Sequence, residues 1–558
     1  MKKNRILILI LVLAAILRLW KLSSVPVSLF GDELDVGYQA YSILKTGRDY
    51  YGNFMPIHFH SLAEWRTPFY LYSVVPTVAM FGISPLGVRL PAAIFGIGGV
   101  WALYLLVLEM TRDRRIALIS SFVLAISPWH IQYSRAAFEV SELLFFLILG
   151  LYFFLKAMKK GQWFWVSAVF LALTPWIYST AKFFTPLLLT FLVLVWGKQI
   201  FSLRRKYLVW AIMAFVLIGA PIAYSTVFGG GTERFGYISV FSDPTTESEV
   251  GTARQNDARV RGEMGEGLSP TLIDRSLHNK FVYWGGHVLK NYLQPFSSDF
   301  LFIRGDPNLR HSIEGMGEFY VVDAAVLLVG LILIYGWKIE KRYKYLILFW
   351  IFAGVIPASI TRDGGNHATR LILILPPLVL IVSYGISMLS RLWLFVYGVL
   401  LLVCFVFYQH NFWYHNPWYS ERWWHAGFEQ SVHSVRELQG MYDTVLISTA
   451  NEPPWVFFAA WYEYPPREWQ LNFPIGNDVE LANLGKVSHI DKFYFGSLGV
   501  GLYDMGKVLN STMLYMASAK EVNVNLIAEP ERVPDDLVLL KAIAYPSGEP
   551  AFYLFSGR

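Results

Sequence analysis

The sequence predicts a mainly α, polytopic membrane protein of about eleven transmembrane helices plus interfacial helices, with a C-terminal extracytoplasmic α/β domain. Three observations carry this. Of 558 residues, 55% are hydrophobic and only 16% charged, against roughly 25% charged in soluble domains. Mean hydropathy is +0.41. The apolar excess falls in separate runs, most of a length suited to a hydrocarbon core roughly 30 Å thick, and these runs stop near residue 408.

Composition also excludes several classes. The apolar surface is too abundant for a disordered chain. The single cysteine, Cys404, lies inside an apolar run, so neither a disulfide framework nor a Cys-based zinc site is available. The net charge of +6 suits cytoplasmic loops of a membrane protein, and no nucleic-acid partner is called for. Aromatic residues, at 17%, suit interfacial belts and a lipid- or sugar-facing cavity.

The first apolar run, Ile6–Leu22, follows Lys2, Lys3 and Arg5. No small-residue cleavage site follows, while Arg18 and Lys21 do, so it reads as an uncut helix starting in the cytoplasm. Further runs cover roughly 69–82, 87–110, 115–131, 139–157, 163–179, 183–198, 207–225, 318–337, 343–360, 370–387 and 392–408. The 69–82 run has 14 residues and contains Pro76. At about 1.5 Å per residue it covers only about 21 Å. If it lies along the interface or dips in and returns, Arg112/Arg114/Arg115, Lys159/Lys160, Arg204/Arg205/Lys206 and Lys338/Lys341/Arg342/Lys344 all face the cytoplasm. If it crosses, all of them face outward. The first arrangement leaves eleven spans in the cell membrane, a cytoplasmic N-terminus and an extracytoplasmic C-terminus.

The division is therefore a transmembrane domain over 1–408 and an extracytoplasmic α/β domain over 409–558. In the latter, Asp443–Thr449, Asp491–Phe495 and Leu537–Tyr545 read as strands, and Pro454–Tyr464 as a helix. Pro550–Phe555 is placed to pair with Leu537–Tyr545 across the Pro546-Ser-Gly turn. The Gly/Ser/Thr-rich stretch 229–268 reads as a long mobile loop.

This topology collects polar segments on the outer face. Phe30-Gly-Asp32-Glu33-Leu-Asp35 opens an amphipathic helix just past the first run. Its plainest reading makes Asp32 an N-cap and puts Asp35 in the first turn; that leaves the adjacent Glu33 unexplained. Glu64-Trp-Arg66-Thr-Pro-Phe-Tyr70 places an arginine at the entry to the short run, suited to bidentate phosphate contact or to a lipid headgroup. Arg135 and Glu139 are four apart and would share a helix face as an ion pair, with Glu142 one turn on. Arg304-Gly-Asp-Pro-Asn-Leu-Arg310-His311 and Thr361-Arg-Asp-Gly-Gly-Asn-His367-Ala-Thr-Arg370 bring further Arg and His to the same face. Together these suit an anionic, lipid-linked substrate. The His spacings match no metal motif.

At these residues the chain resembles the GT-C fold glycosyltransferases of the protein O-mannosyltransferase and aminoarabinose transferase group, glycosyltransferase families 39 and 83. The resemblance rests on Gly31-Asp32-Glu33, Arg66-Thr-Pro-Phe-Tyr-Leu-Tyr72, Phe81-Gly-Ile-Ser84 leading to Arg89-Leu-Pro91, Ser127-Pro128 leading to Ser134-Arg135-Ala136 and Glu139, and His367 with Arg370 before Pro376-Pro377. It covers roughly residues 1–390. It implies a multi-pass enzyme that takes a sugar from a polyprenyl-phosphate donor on the extracytoplasmic side. Asp32 then takes the position of the base, with Glu33 adjacent, and Arg66 that of a phosphate contact, although relatives often carry Lys-Pro-Pro where this chain has Arg66-Thr67-Pro68.

On this reading Arg66, helped by Arg310 or Arg370, neutralises the leaving phosphate, and Asp32 removes the acceptor proton. Direct attack inverts the anomeric centre. Glu33 orients the acceptor or tunes Asp32, while Arg135, Glu139, His311 and His367 are candidate substrate contacts. The groove beside 69–82 holds the isoprenoid. No cofactor is implied, although Asp32, Glu33 and Glu139 have the chemistry to share a divalent cation. Protein, lipid and glycan acceptors all stay open. A transporter or flippase of lipid-linked sugars is the alternative; it predicts ionisable groups near the midplane of several helices.

Overall fold

The computed structural model describes residues 4–61, 65–263, 270–474, 476, 478–481 and 485–558. Lys2, Lys3, Glu64 and the end of the 229–268 stretch lie outside the described residues. The first part is helical: α1 (Arg5–Leu19), α2 (Gly31–Thr46), α3 (Phe69–Phe81), α4 (Pro85–Thr111), α5 (Arg114–Ile126), α6 (Pro128–Tyr133), α7 (Val140–Lys159), α8 (Phe164–Ile177), α9 (Ala181–Ser202) and α10 (Arg205–Phe228). A two-stranded hairpin, β1 (Phe59–His60) and β2 (Trp65–Arg66), precedes α3.

Each apolar run of the sequence folds as helix. Among the described residues, six stretches are long and apolar enough to cross a membrane: Pro85–Thr111, Val140–Lys159, Ala181–Ser202, Arg205–Phe228, Ala368–Met388 and Arg391–Tyr419. Others are shorter than their runs. The 115–131 run is cut in two because Ser127 caps α6 by accepting from the His130 N–H, with Pro128 at its first position. Asp113 starts α5 by accepting from the amides of Arg115 and Ile116, one residue after Arg112 ends α4 in a left-handed conformation. α3 has 13 residues and packs between α2 and α4; at about 1.5 Å per residue it is shorter than the hydrocarbon core.

The helices run between two chemically different ends. Lys159 at the end of α7 pairs with Glu109 near the end of α4. Arg342 reaches Gln199 of α9 at 2.5 Å. The basic turns therefore share one end of the bundle. The opposite end carries the starts of α2, α7 and α9 and the end of α8.

The 229–268 stretch is not the irregular loop expected. It contains α11 (Glu233–Ile238) and α12 (Thr245–Val260), followed by α13 (Leu272–Leu277) and α14 (Lys280–Leu293). Thr271 and Asp274 form a reciprocal capping box on α13, and Asn279 caps α14. The chain then forms α15 (Asp323–Leu333), α16 (Lys341–Ser359), α17 (Ala368–Leu371), α18 (Leu375–Met388) and α19 (Arg391–His410).

The C-terminal region holds a seven-stranded sheet built from β3 (Thr444–Ile447), β4 (Asp478–Leu481), β5 (Gly485–Ile490), β6 (Phe493–Phe495), β7 (Met513–Ser518), β8 (Leu537–Ala544) and β9 (Pro550–Gly557). Their order is β4-β5-β6-β3-β7-β9-β8. β3 is parallel to both β6 and β7, and β8 and β9 form the antiparallel pair anticipated across Pro546-Ser-Gly. The helix Trp455–Tyr462 follows β3 and packs on α2. Its Phe457 ring stands 3.6 Å from where a Cβ on Gly31 would lie, so the sheet region rests directly on the start of α2.

Candidate active site

α2 begins with Phe30 in an extended conformation and no side-chain cap. Asp32 is thus inside the first helical turn rather than at the N-cap. Its side chain is 58% exposed and pairs with Arg66 Nη2 at 2.7 Å. Arg66 itself is buried and also faces Asp35, its Nε lying 3.3 Å from Oδ2. Asp35 accepts from the Tyr50 hydroxyl at 2.7 Å. Burial pushes the Asp35 carboxyl up to about 6, with Arg66 and Tyr50 pulling it down.

A cavity of about 200 Å³ opens beside this pair. Asp32, Arg66, Glu139, Arg310, His311 and His367 line it, together with Phe30, Tyr178 and Asn308. Segments more than 300 residues apart in the chain thus meet at one point. Arg310 spreads its guanidinium over the Phe30 ring at 5.0 Å and the Trp423 ring at 5.7 Å. His311 and His367 lie with ring centroids 4.7 Å apart.

Three expected residues are placed elsewhere. Glu33 points away from the cavity and is fully enclosed. Arg89 Nε and Nη2 donate to its two oxygens at 2.8 and 2.7 Å, and the Ala137 amide donates to it at 2.8 Å. With its lone pairs so occupied, Glu33 neither faces an acceptor nor joins Asp32 and Glu139 around a cation. Arg135 is also buried. Residues 134–137 form a turn rather than a helix, so the expected four-residue spacing does not align it with Glu139. It donates instead to the carbonyls of Leu17 and Val25, and its guanidinium lies over Trp413 at 4.7 Å. Arg370 donates to Thr361 and the Arg362 carbonyl, and lines a neighbouring cavity.

That second cavity, about 220 Å³, is largely apolar, and Lys182 and Arg370 both line it. It shares Tyr178 with the first. Lys182 Nζ lies 2.9 Å from His58 Nε2 and donates to the Gly231 carbonyl. Burial, then the Lys182 charge, hold the His58 imidazole down to about 4. Sequence reasoning missed Lys182; its only signal is its place between the apolar runs 163–179 and 183–198.

Asp306, which sequence reasoning also missed, lies with His311 and His367 so that one ligand atom from each falls within 4.8 Å of the others. One carboxylate and two imidazoles are a common donor set for transition metals. Here, however, Asp306 Oδ2 contacts His311 Nδ1 at 2.9 Å and accepts from the Ala368 amide at 2.8 Å, and Oδ1 accepts from the Asn308 amide. The carboxylate is committed to orienting the imidazole, an arrangement that fixes which ring nitrogen carries the proton.

Known proteins resemble this chain in sequence and in fold. Residues 8–229 match the family described as dolichyl-phosphate-mannose-protein mannosyltransferase. That match covers less than half of the chain. Among solved structures, ArnT from Cupriavidus metallidurans bound to undecaprenyl phosphate has a similar fold, with a TM-score of 0.53 at 11% identity over 98% of this chain and 97% of that one. The chain thus shares the fold of that structure, and its long apolar helices are those of a multi-pass membrane protein. Sequence relatives include YkcB of Bacillus subtilis, 36% identical over 91 residues, or 16% of this chain. They also include dolichyl-phosphooligosaccharide-protein glycotransferase 2 of Pyrococcus horikoshii, 33% identical over 120 residues, or 21% of this chain. The matches span 13% and 15% of those relatives' lengths.

Proposed function

We propose that this chain is an integral-membrane glycosyltransferase that moves a sugar from a polyprenyl-phosphate donor to an acceptor hydroxyl. The observation that carries the proposal is the Asp32–Arg66 pair at the mouth of a polar cavity that shares the lining residue Tyr178 with an apolar cavity holding Lys182 and Arg370. The apolar cavity takes the first isoprene units of the donor, in place of a groove beside 69–82. Arg66, Lys182 and Arg370 then surround its phosphate. The ArnT structure bound to undecaprenyl phosphate supports this placement.

As the phosphate enters, Arg66 exchanges Asp32 for it, which frees the carboxylate to accept the acceptor proton. The leaving phosphate keeps the electrons of the anomeric bond while the acceptor oxygen attacks from the other side, inverting the centre. Glu33 acts only by fixing the start of α2. The side of the membrane follows from the basic turns: they occupy the end of the bundle remote from Asp32, so the cavity faces the extracytoplasmic side. On this reading the protein sits in the cell membrane with its N-terminus in the cytoplasm and residues 409–558 outside. A carrier is not favoured, because the candidate residues gather at one end of the bundle rather than across its midplane.

The test is transfer from a radiolabelled polyprenyl-phosphate sugar by purified protein in detergent. Wild type is expected to release polyprenyl phosphate, and Asp32→Asn to lose at least about 100-fold in rate while retaining its elution profile and melting temperature. Full activity in Asp32→Asn removes the assignment.

A further inference from the structure

A third cavity lies outside the Asp32 site. It has a volume of about 320 Å³ and is formed between the 422–428 segment and the sheet region, at the lower end of the roughly 300–1,000 Å³ typical of ligand pockets. Its floor is the carboxyl end of the parallel strands β3 and β7, since Asn451 and Glu452 follow the first and Ala519 and Lys520 follow the second. Crevices at the carboxyl ends of parallel strands are where open α/β sheets bind ligands.

We infer that this cleft binds the acceptor, and that the acceptor is a neutral, hydroxyl-rich carbohydrate. The inference rests on the proposed transferase reading and deepens it.

Charge decides the ligand class. The cations of the cleft are matched by carboxylates. Arg422 pairs with Glu549 at 2.5 Å, and His425 Nε2 lies 3.4 Å from Glu452. Lys520 and Arg310 add their fields at Glu452, whose carboxyl is held below its ordinary range, chiefly by the His425 hydrogen bond. An anionic ligand would meet two carboxylates. A neutral sugar meets paired, planar donors and acceptors, and Arg422 stacked 5.7 Å over the Tyr545 ring adds an aromatic surface. Two buried polar atoms on lining residues, His425 Nδ1 and Asn451 Oδ1, have no hydrogen-bond partner among the described residues. Such groups are costly when left unsatisfied, and sugar hydroxyls both donate and accept.

Position decides the role. The cleft reaches the Asp32 cavity through single side chains. Arg310, which lines the Asp32 cavity, covers Trp423, the neighbour of Arg422. The His425 ring packs on Phe457 at 5.0 Å, and Phe457 abuts Gly31, the residue before Asp32. A glycan seated in the cleft has its end directed toward the proposed base.

The experiment uses full-length protein in nanodiscs without donor, titrated with a panel of neutral hexasaccharides (maltohexaose, cellohexaose and mannohexaose) and with a Ser/Thr-containing octapeptide. Binding is read by saturation-transfer NMR and by tryptophan fluorescence. At least one hexasaccharide is expected to bind saturably. Asn451→Ala and Tyr545→Ala, each checked for wild-type melting temperature, are expected to weaken it at least tenfold. Failure of every hexasaccharide to bind overturns the inference. So does binding that both variants leave unchanged, and so does preference for the octapeptide. Because no donor is present, loss of the transfer chemistry in the Asp32 assay leaves this result standing, and the two readings fail separately.

Discussion

Arg89 grips both oxygens of Glu33 with neither side chain exposed to solvent. The pair ties α4 to the start of α2, and Arg89 also donates to the Pro26 carbonyl. This fixes the height of the helix turn from which Asp32 projects. Adjacent acids thus hold opposite positions, one enclosed and structural, the other open to the cavity.

Removing one partner of such a pair strands the other charge, at a cost of about 3–5 kcal/mol. Glu33→Ala is therefore expected to lower the melting temperature in detergent strongly and to reduce the folded yield. The molecules that do fold are expected to retain transfer. A variant that melts like wild type yet transfers no sugar would return Glu33 to the chemistry.

Arg66 makes a different prediction, because its partner is exchangeable. It offers a planar fork to a phosphate where lysine offers a point charge. A charge-assisted hydrogen bond contributes about 1.5–3 kcal/mol, or roughly 10–150-fold. Arg66→Met is expected to lose kcat/KM for the lipid donor within that span, and Arg66→Lys to recover part of it. The measurement is steady-state kinetics with varied donor. Equal losses in both variants, or none in either, would remove Arg66 from the phosphate site.

Much of this was legible before any coordinates. Apolar runs marked the helices because the hydrocarbon core leaves few alternatives, and the Asp32 and Arg66 segments were legible because each sits where an apolar run meets a polar turn. Tertiary partners were not legible. Arg89 looked like part of a helix, yet its guanidinium answers Glu33 from 56 residues away. Arg135 and Glu139 had the spacing of a helix pair, and a turn at 134–137 broke the phase. Lys182 and Asp306 carry no local pattern; each gains its role from a segment distant in sequence. β7 was missed as a strand because Met513–Ser518 is buried on almost every residue and so lacks alternation.

Asp306 yields a third prediction. Its contact with His311 is that of an orienting carboxylate. Asp306→Asn is expected to lower kcat by about tenfold, with donor KM little changed, and to shift the pH profile of transfer. A metal centre would behave differently: chelation with EDTA would abolish activity and added zinc or manganese would restore it. The expected result is activity that survives chelation. Restoration by a metal would reassign Asp306, His311 and His367 as its ligands.

The last prediction concerns acid. His58 titrates at about 4 in the folded chain, below its ordinary 6.5, chiefly because it is buried and then because Lys182 stands beside it. Between those values the unfolded chain binds a proton that the folded chain refuses. The stabilisation linked to His58 is therefore complete above pH 6.5 and is lost as the pH falls toward 4. Asp35 acts in the same window with the opposite sign. Its carboxyl is raised from 3.8 to about 6, so its contribution is complete below pH 3.8 and is lost as the pH rises through 6. The two effects offset each other in the wild-type profile, and the His58 term is isolated by subtraction. Melting temperatures of wild type and His58→Gln, followed from pH 7.5 to 4.5, are expected to diverge, with the variant losing less on acidification. Asp35→Asn is expected to diverge the other way, falling more steeply than wild type as the pH drops. Parallel curves for all three proteins would mean that neither burial nor the neighbouring Lys182 and Arg66 charges set these protonation states.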